Sequence, residues 1–229
     1  EKALKKVVPD VLDLIVTPFV TLLCSMVIGL IVIGPIMHVV EQGLLIGVQA
    51  LMNIPFGVGG FIVGALQQVF VITGLHHTFK TMENIIDTKY DLIELLANTG
   101  ATPFNTLTCG AIVAQCGAAV AAALKLKDKK QKSLYLSEVL PASLGITEPL
   151  IFGGNLPRLT PFVCACVGGG CAGAFSSIMG LAATGMSITA IPGMLLYLNG
   201  QLPQYLIACA IGFVVAFVLT TVFYKPKEN

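Results

Sequence analysis

Polar positions along this chain gather in a few short clusters, and long apolar runs lie between them. No Asp, Glu, Lys or Arg occurs in residues 14–37, 42–75, 95–124 or 159–224. Each run meets or exceeds the roughly 20 apolar residues that carry a helix across a bilayer. Pro, Gly and Asn then divide the runs into elements.

Residues 11–37 read as a first span, with Pro18 one turn in, Gly29 and Gly34 open to close helix contact, and Pro35 helping to end it. His38 and Glu41 follow at the far interface. Residues 43–75 are too long for one crossing and break at Asn53, Ile54 and Pro55, so the second span is 56–75. The GVGGFIVG string at 57–64 lacks the GK[ST] of a phosphate loop and reads as tight helix packing. Residues 92–124 are interrupted by NTGATPFN at 98–105. Residues 134–158 carry breaks at Pro141, Gly145 and Pro149. Spans at 161–181, containing VGGGCAG, and 202–223 follow. Between them, residues 184–199, with Pro192, form a shorter re-entrant or interfacial piece.

Composition agrees: the 229 residues are 55% hydrophobic and 11% charged, with a mean hydropathy of +0.88. Soluble domains carry about 25% charged residues. The expected class is an all-α polytopic membrane protein. Basic residues cluster at Lys2, Lys5 and Lys6, at 125–132, and at Lys225 and Lys227. The positive-inside rule makes all three clusters, and both termini, cytoplasmic. Two spans then return the chain inside by Lys80, and the 125–132 loop is inside as well. Residues 92–124 must therefore enter and leave on one side, as a re-entrant hairpin with its tip in NTGATPFN. Residues 134–158 fit a second such hairpin, which gives about four spanning helices plus two re-entrant hairpins.

A net charge of +1 offers no electrostatic case for nucleic acid, and the partner implied by composition is the lipid bilayer. The opening EKALKKVVPD has no cleavable signal pattern and no initiator Met. It reads as a linker entering a membrane helix, within a longer chain. The seven cysteines all fall in apolar runs without zinc spacing and read as small packing residues, so no metal or cofactor is expected.

The candidate chemistry centres on residues 144–158, LGITEPLIFGGNLPR. Glu148 is a single carboxylate between apolar flanks, with Glu138 and Arg158 its nearest charged neighbours in sequence. Pro149 should push it away from helical angles, and Gly145, Gly153 and Gly154 add further breaks. A charge on broken backbone in an apolar membrane setting marks a functional place. Two histidines, His76 and His77, stand at the end of a charge-free run. Successive helical residues point about 100° apart, so both cannot face one site. Either they are an interfacial pair, or His76 hydrogen-bonds a polar ligand.

If Glu148 and His76 converge, Thr147, Asn155, Asn105 and Thr78 add neutral hydrogen-bonding groups. Such a set suits a polyhydroxylated neutral ligand, whose hydroxyls need donors and acceptors at fixed angles. A carboxylate accepting from a hydroxyl also raises that oxygen's nucleophilicity. The competing role for Glu148 is structural, its oxygens capping backbone N–H groups of the hairpin. Arg158, the one arginine of the chain, either snorkels to an interface or partners phosphate or Glu148.

GITEPLIFGGNLPR resembles the GITEP signature of the membrane-spanning enzyme IIC components of the bacterial phosphoenolpyruvate-dependent sugar phosphotransferase system, within the glucose–glucoside–sucrose superfamily. GLHHTF at 74–79 resembles that family's Gly-x-His motif. VLDLIVTPFVTLL near the start and TAIPGML late in the chain resemble its flanking helices in order. The resemblance implies that Glu148 and His76 contact the sugar near the hydroxyl that becomes phosphorylated, with His77 and Thr147 less directly matched. It implies sugar uptake coupled to phosphorylation across the bacterial cytoplasmic membrane. Residues 1–229 would be the transport part of the IIC domain, without the scaffold part through which the family forms homodimers. The phosphoryl donor would be a phosphocysteine domain (IIB), itself charged by an upstream IIA donor, because no cysteine here matches the donor pattern.

The GLHHTF and AIPGM strings look sucrose-like. Pro157 before Arg158 departs from the sucrose pattern toward N-acetylmuramate or β-glucoside members. Two readings compete with phosphorylating uptake: a proton-coupled secondary sugar carrier in which Glu148 and His76 relay protons, and a membrane scaffold or sensor that does not transport.

Overall fold

The structure is a computed structural model that describes residues 10–52, 54–75, 104–185 and 190–226. Its described residues are helical almost throughout, and the chain divides into two compact units, Glu1–Ile46 and Gly47–Asn229.

The first unit is built on α1 (Asp10–Ile28) and the start of α2 (Gly34–Met52), joined by one wide turn at Gly29–Ile33. Pro35 does not end the helix, contrary to expectation. In a regular α-helix its ring would meet the carbonyl four residues back. Here the ladder widens just before it, and the Gly34 N–H bonds to the Gly29 carbonyl, five residues back. The helix therefore continues, and 16–40 qualifies as a span by length and hydropathy.

The second unit is a bundle. The chain breaks after Met52, as Asn53, Ile54 and Pro55 foretold, with Phe56 and Gly57 in the left-handed region (φ 62° and 75°) before α3 (Val58–Thr73). Then come α4 (Phe104–Lys125), α5 (Lys129–Ser137), α6 (Val139–Ser143), a wide-turn segment (Pro149–Asn155) and the single turn α7 (Leu156–Arg158). The chain continues with α8 (Thr160–Ile178), the short α9 (Ala190–Gly193) with a tight turn at Met194–Tyr197, and α10 (Leu202–Phe223).

Helix α8 is the hub, packed against α3, α4 and α10, and α4 also packs along α10. Glycines make this possible. A Cβ at Gly64 would stand 2.5 Å from the Gly169 carbonyl oxygen, and one at Gly168 would stand 2.6 Å from that of Gly212. The expected tight packing of GVGGFIVG is therefore in part backbone against backbone, with VGGGCAG supplying the facing surface. Residue pairs along these seams, Gly60 with Gly173 and Gly64 with Gly169 for α3, Leu107 with Gly173 and Ala111 with Gly169 for α4, show both helices running antiparallel to α8.

Among the described residues four helices qualify as spans, but they are not the four expected. Phe104–Lys125, read as the second limb of a re-entrant hairpin, is an unbroken 22-residue helix long and apolar enough to cross. Conversely α3, expected as a span, has only 16 residues. The rest of the expected hairpin at 92–103 lies outside the described residues. Two basic clusters do meet: the Lys125 ammonium donates to the carbonyls of Thr221 and Tyr224, which places the 125–132 loop and Lys225 at one end of the bundle.

Candidate functional site

Residues 129–158 fold as a helical hairpin against the second half of α4. Helix α5 starts where the Asp128 carboxylate accepts from the Lys130 N–H at 2.9 Å. Pro141 was expected to break the chain but sits inside α6. Its missing N–H is felt one turn earlier, at Glu138, where α5 gives way to α6. The true break is Gly145, at φ 106°, where a side chain would be strained. Its N–H bonds to the Ala142 carbonyl at 2.9 Å, and that of Ile146 to Pro141 at 3.0 Å. The chain then returns through the wide-turn segment, with Tyr135 opposite Gly154 and Glu138 opposite Gly153.

Glu148 follows this turn after Ile146 and Thr147 and begins the next helical stretch. It has helical angles (φ −57°, ψ −46°), against the expectation drawn from Pro149. The clash with a following proline is a preference and not a prohibition. Pro149 also opens a wound segment, where its absent N–H has no intrahelical partner to lose. The Glu148 side chain is exposed and makes no cap hydrogen bond, so the structural capping role is not seen. Behind it Thr147 is buried, and its carbonyl accepts from the Ile151 N–H at 2.9 Å. Leu150 and Ile151 are fully buried, whereas Pro149, Phe152 and Gly153 face outward. The carboxylate thus stands on the open face of a segment anchored from its back.

Asn155 closes the segment and is fully buried. Its Oδ1 accepts from the Tyr135 hydroxyl, and its Nδ2 donates to Gln115, both to the side-chain oxygen and, at 3.1 Å, to the carbonyl. Arg158 lies half-buried with its guanidinium 4.7 Å from the centre of the Tyr135 ring. Its Nη1 donates to the Gly154 carbonyl at 2.8 Å. This is a cation over an aromatic face and a cap on the last turn. The two glycines let Tyr135 and Glu138 lie flush on the backbone. A Cβ at Gly154 would fall 2.7 Å from Tyr135 Cδ2, and one at Gly153 would fall 2.9 Å from Glu138 Oε1.

Asn105 sits elsewhere. Its Nδ2 donates to the Tyr197 hydroxyl at 3.2 Å, and that hydroxyl also pairs with Thr106 Oγ1 at 2.6 Å. Tyr197 stacks on Tyr205 at 4.2 Å between ring centres. Asn105 precedes Gln115 by ten helical residues, about 15 Å along α4. The structure therefore brings Asn155 and Arg158 together around Tyr135 and leaves Asn105 in a separate cluster. His76, His77 and Thr78 lie outside the described residues, and the convergence of His76 with Glu148 lies outside them too.

Sequence reading passed over Tyr135, Gln115 and Tyr197. Their signal was a lone polar or phenolic group in or beside an apolar run, where an unpaired hydrogen-bonding group would be costly. All seven cysteines are free thiols; Cys109, Cys116 and Cys164 are buried, as expected of packing residues, whereas Cys24 is exposed.

The chain matches the family model described as "Phosphotransferase system, EIIC" over residues 1–169. It is 38% identical to the sucrose-specific EIIBC component of the phosphotransferase system of Salmonella typhimurium and 40% identical to that of Klebsiella pneumoniae. Both alignments cover 100% of this chain and 49% of the relative. It is also 33% identical to the MurNAc-GlcNAc-specific EIIBC component of Staphylococcus epidermidis, over 100% of this chain and 47% of that protein. The chain spans about half the length of the curated relatives it matches. No solved structure matches it. The chain belongs to the EIIC family of the phosphotransferase system.

Proposed function

We propose that residues 1–229 are the transport part of a sugar permease of the bacterial cytoplasmic membrane, one that takes up a neutral sugar and presents it for phosphorylation. The observation that carries the proposal is Glu148: an exposed carboxylate, on a wide-turn segment within the GITEP string, in a chain of the EIIC family. Wide turns inside helices recur at functional sites. Here one aims an acceptor outward while its own backbone stays bonded. A carboxylate so placed accepts from a sugar hydroxyl and increases the basicity of that oxygen toward a phosphoryl group. His76 is its partner at the sugar, with His77, Thr147 and Thr78 near them.

Sucrose is the favoured substrate, because relatives at 38% and 40% identity are named for it. A MurNAc-GlcNAc-type substrate is the second reading, supported by the relative at 33% and by Pro157 before Arg158. The phosphoryl group comes from a phosphocysteine (IIB) domain charged by IIA, in line with relatives named EIIBC and, in Pediococcus pentosaceus, EIIBCA.

Glu148→Gln in the complete transporter tests the proposal. In membrane vesicles supplied with sucrose and a phosphoryl donor, sugar phosphate formation should fall about a hundredfold, with the amount of folded protein unchanged. A variant phosphorylating at the original rate would remove Glu148 from the chemistry. Uptake of unmodified sugar driven by a pH gradient alone would replace this function with proton-coupled carriage.

A further inference from the structure

We infer that Tyr135, Asn155 and Gln115 are positioning residues that fix the wide-turn segment and thereby set where the Glu148 carboxylate stands. This role presupposes Glu148 as the sugar-contacting group. The Glu148 side chain makes no cap bond and is exposed, so its place is whatever its backbone segment dictates. Two kinds of contact locate that segment. Leu150 and Ile151 are fully buried, but apolar burial is non-directional and permits sliding. Asn155 supplies direction.

Both ends of the Asn155 amide are engaged, its oxygen by Tyr135 and its nitrogen by Gln115, and none of its surface is exposed. In this arrangement it is not available to a ligand. The three residues stand on three elements: Gln115 in the middle of α4, Tyr135 on the outgoing arm of the hairpin, and Asn155 at the end of the wide-turn segment. Tyr135 also lies against Gly154 and carries the Arg158 guanidinium, so one ring meets residues 154, 155 and 158. A wide turn is a rare local form, and contacts from outside the segment help hold it. Small displacements matter for the residue it carries, because a shift of about 1 Å at a reacting group can slow chemistry about a hundredfold.

Tyr135→Phe in the complete transporter keeps the ring and removes only the hydroxyl. Amide hydrogen exchange at 148–155 should quicken about fivefold, the net worth of one hydrogen bond, with α8 and α10 unchanged. The KM for sucrose in the phosphorylation assay should rise by a similar factor. Gln115→Met leaves Asn155 its backbone acceptor and should shift both readouts in the same direction by less. Faster exchange with an unchanged KM would support the brace and overturn Glu148 as the sugar contact. Unchanged exchange at 148–155 would overturn the brace whatever the KM. Exchange rising equally across α4, α8 and α10, with the surviving molecules keeping the original KM, would reduce the three residues to general stability and overturn the proposal. A Gln115→Met effect larger than that of Tyr135→Phe would do the same.

Discussion

Along α3 and α8 the tightest seam is backbone against backbone at Gly64 and Gly169, which approach so closely that no Cβ fits between them, with side chains such as Ser177 at Gly60 and Phe61 at Gly170 filling in beside it. In the hairpin that carries Glu148, glycines also admit a close neighbour, but that neighbour is a side chain: Tyr135 at Gly154 and Glu138 at Gly153. The difference follows from what each region does. Membrane helices gain little hydrophobic drive from meeting one another, so they associate through close van der Waals contact at small residues. The hairpin must leave one face open around a carboxylate, so it cannot be packed from all sides. It is held from behind by a phenol, two amides and a guanidinium. One region is rigid through area, the other through a few directed bonds.

This contrast predicts different failures. The largest effect belongs to the glycine seam. Gly64→Val should destabilise the bundle by about 3 kcal/mol, read as a lower unfolding midpoint in detergent, because the obstacle at Gly169 is backbone and cannot swing aside. A midpoint unchanged by valine would mean the seam opens easily.

Gly154→Ala should act in the opposite proportion. Its Cβ would press on the Tyr135 ring, which can shift, so stability should fall by only about 1 kcal/mol. Sugar phosphorylation should fall more than stability accounts for. Equal losses in both would erase the distinction between the two regions.

The smallest effect is a pH dependence at Glu138. Burial raises its carboxyl above the ordinary range, and Arg158 partly offsets this. A raised folded value favours the protonated form. Its contribution is complete below the unfolded pKa of about 4.3 and is lost as pH rises through the folded value. Melting curves of the original chain and Glu138→Gln should coincide near pH 4, then separate in favour of glutamine toward pH 7. Curves that stay parallel would mean that Glu138 is not desolvated by the hairpin.

Local chemistry made much of this legible. The break at Ile54 and Pro55 and the turn at Gly145 appear where proline and glycine announced them. The glycine strings became the helix seams. Proline misled where the chain could absorb it. At Pro35 the helix widened and went on, and at Pro149 the residue before it kept helical angles. Asn155 and Asn105 both read as neutral hydrogen-bonding groups for a ligand, and each has a phenol hydroxyl as partner. Those tyrosines lie 20 and 92 residues away in sequence, a separation that no local pattern reports.

Hydropathy and punctuation by themselves determined the membrane class and most helix ends, because each depends on residues within a turn or two of one another. The motif at 144–158 marked the carboxylate for the same reason. Which helices lie inside and which outside was decided only by tertiary structure. Helices α4 and α10 are both 22-residue apolar runs, yet α4 is 78% buried across its apolar window and α10 only 22%. Lipid and protein interior are about equally apolar, so hydrophobicity cannot separate them. The small residues of α4 let neighbours close around it, and the polar side chains they bring decide where Glu148 is held.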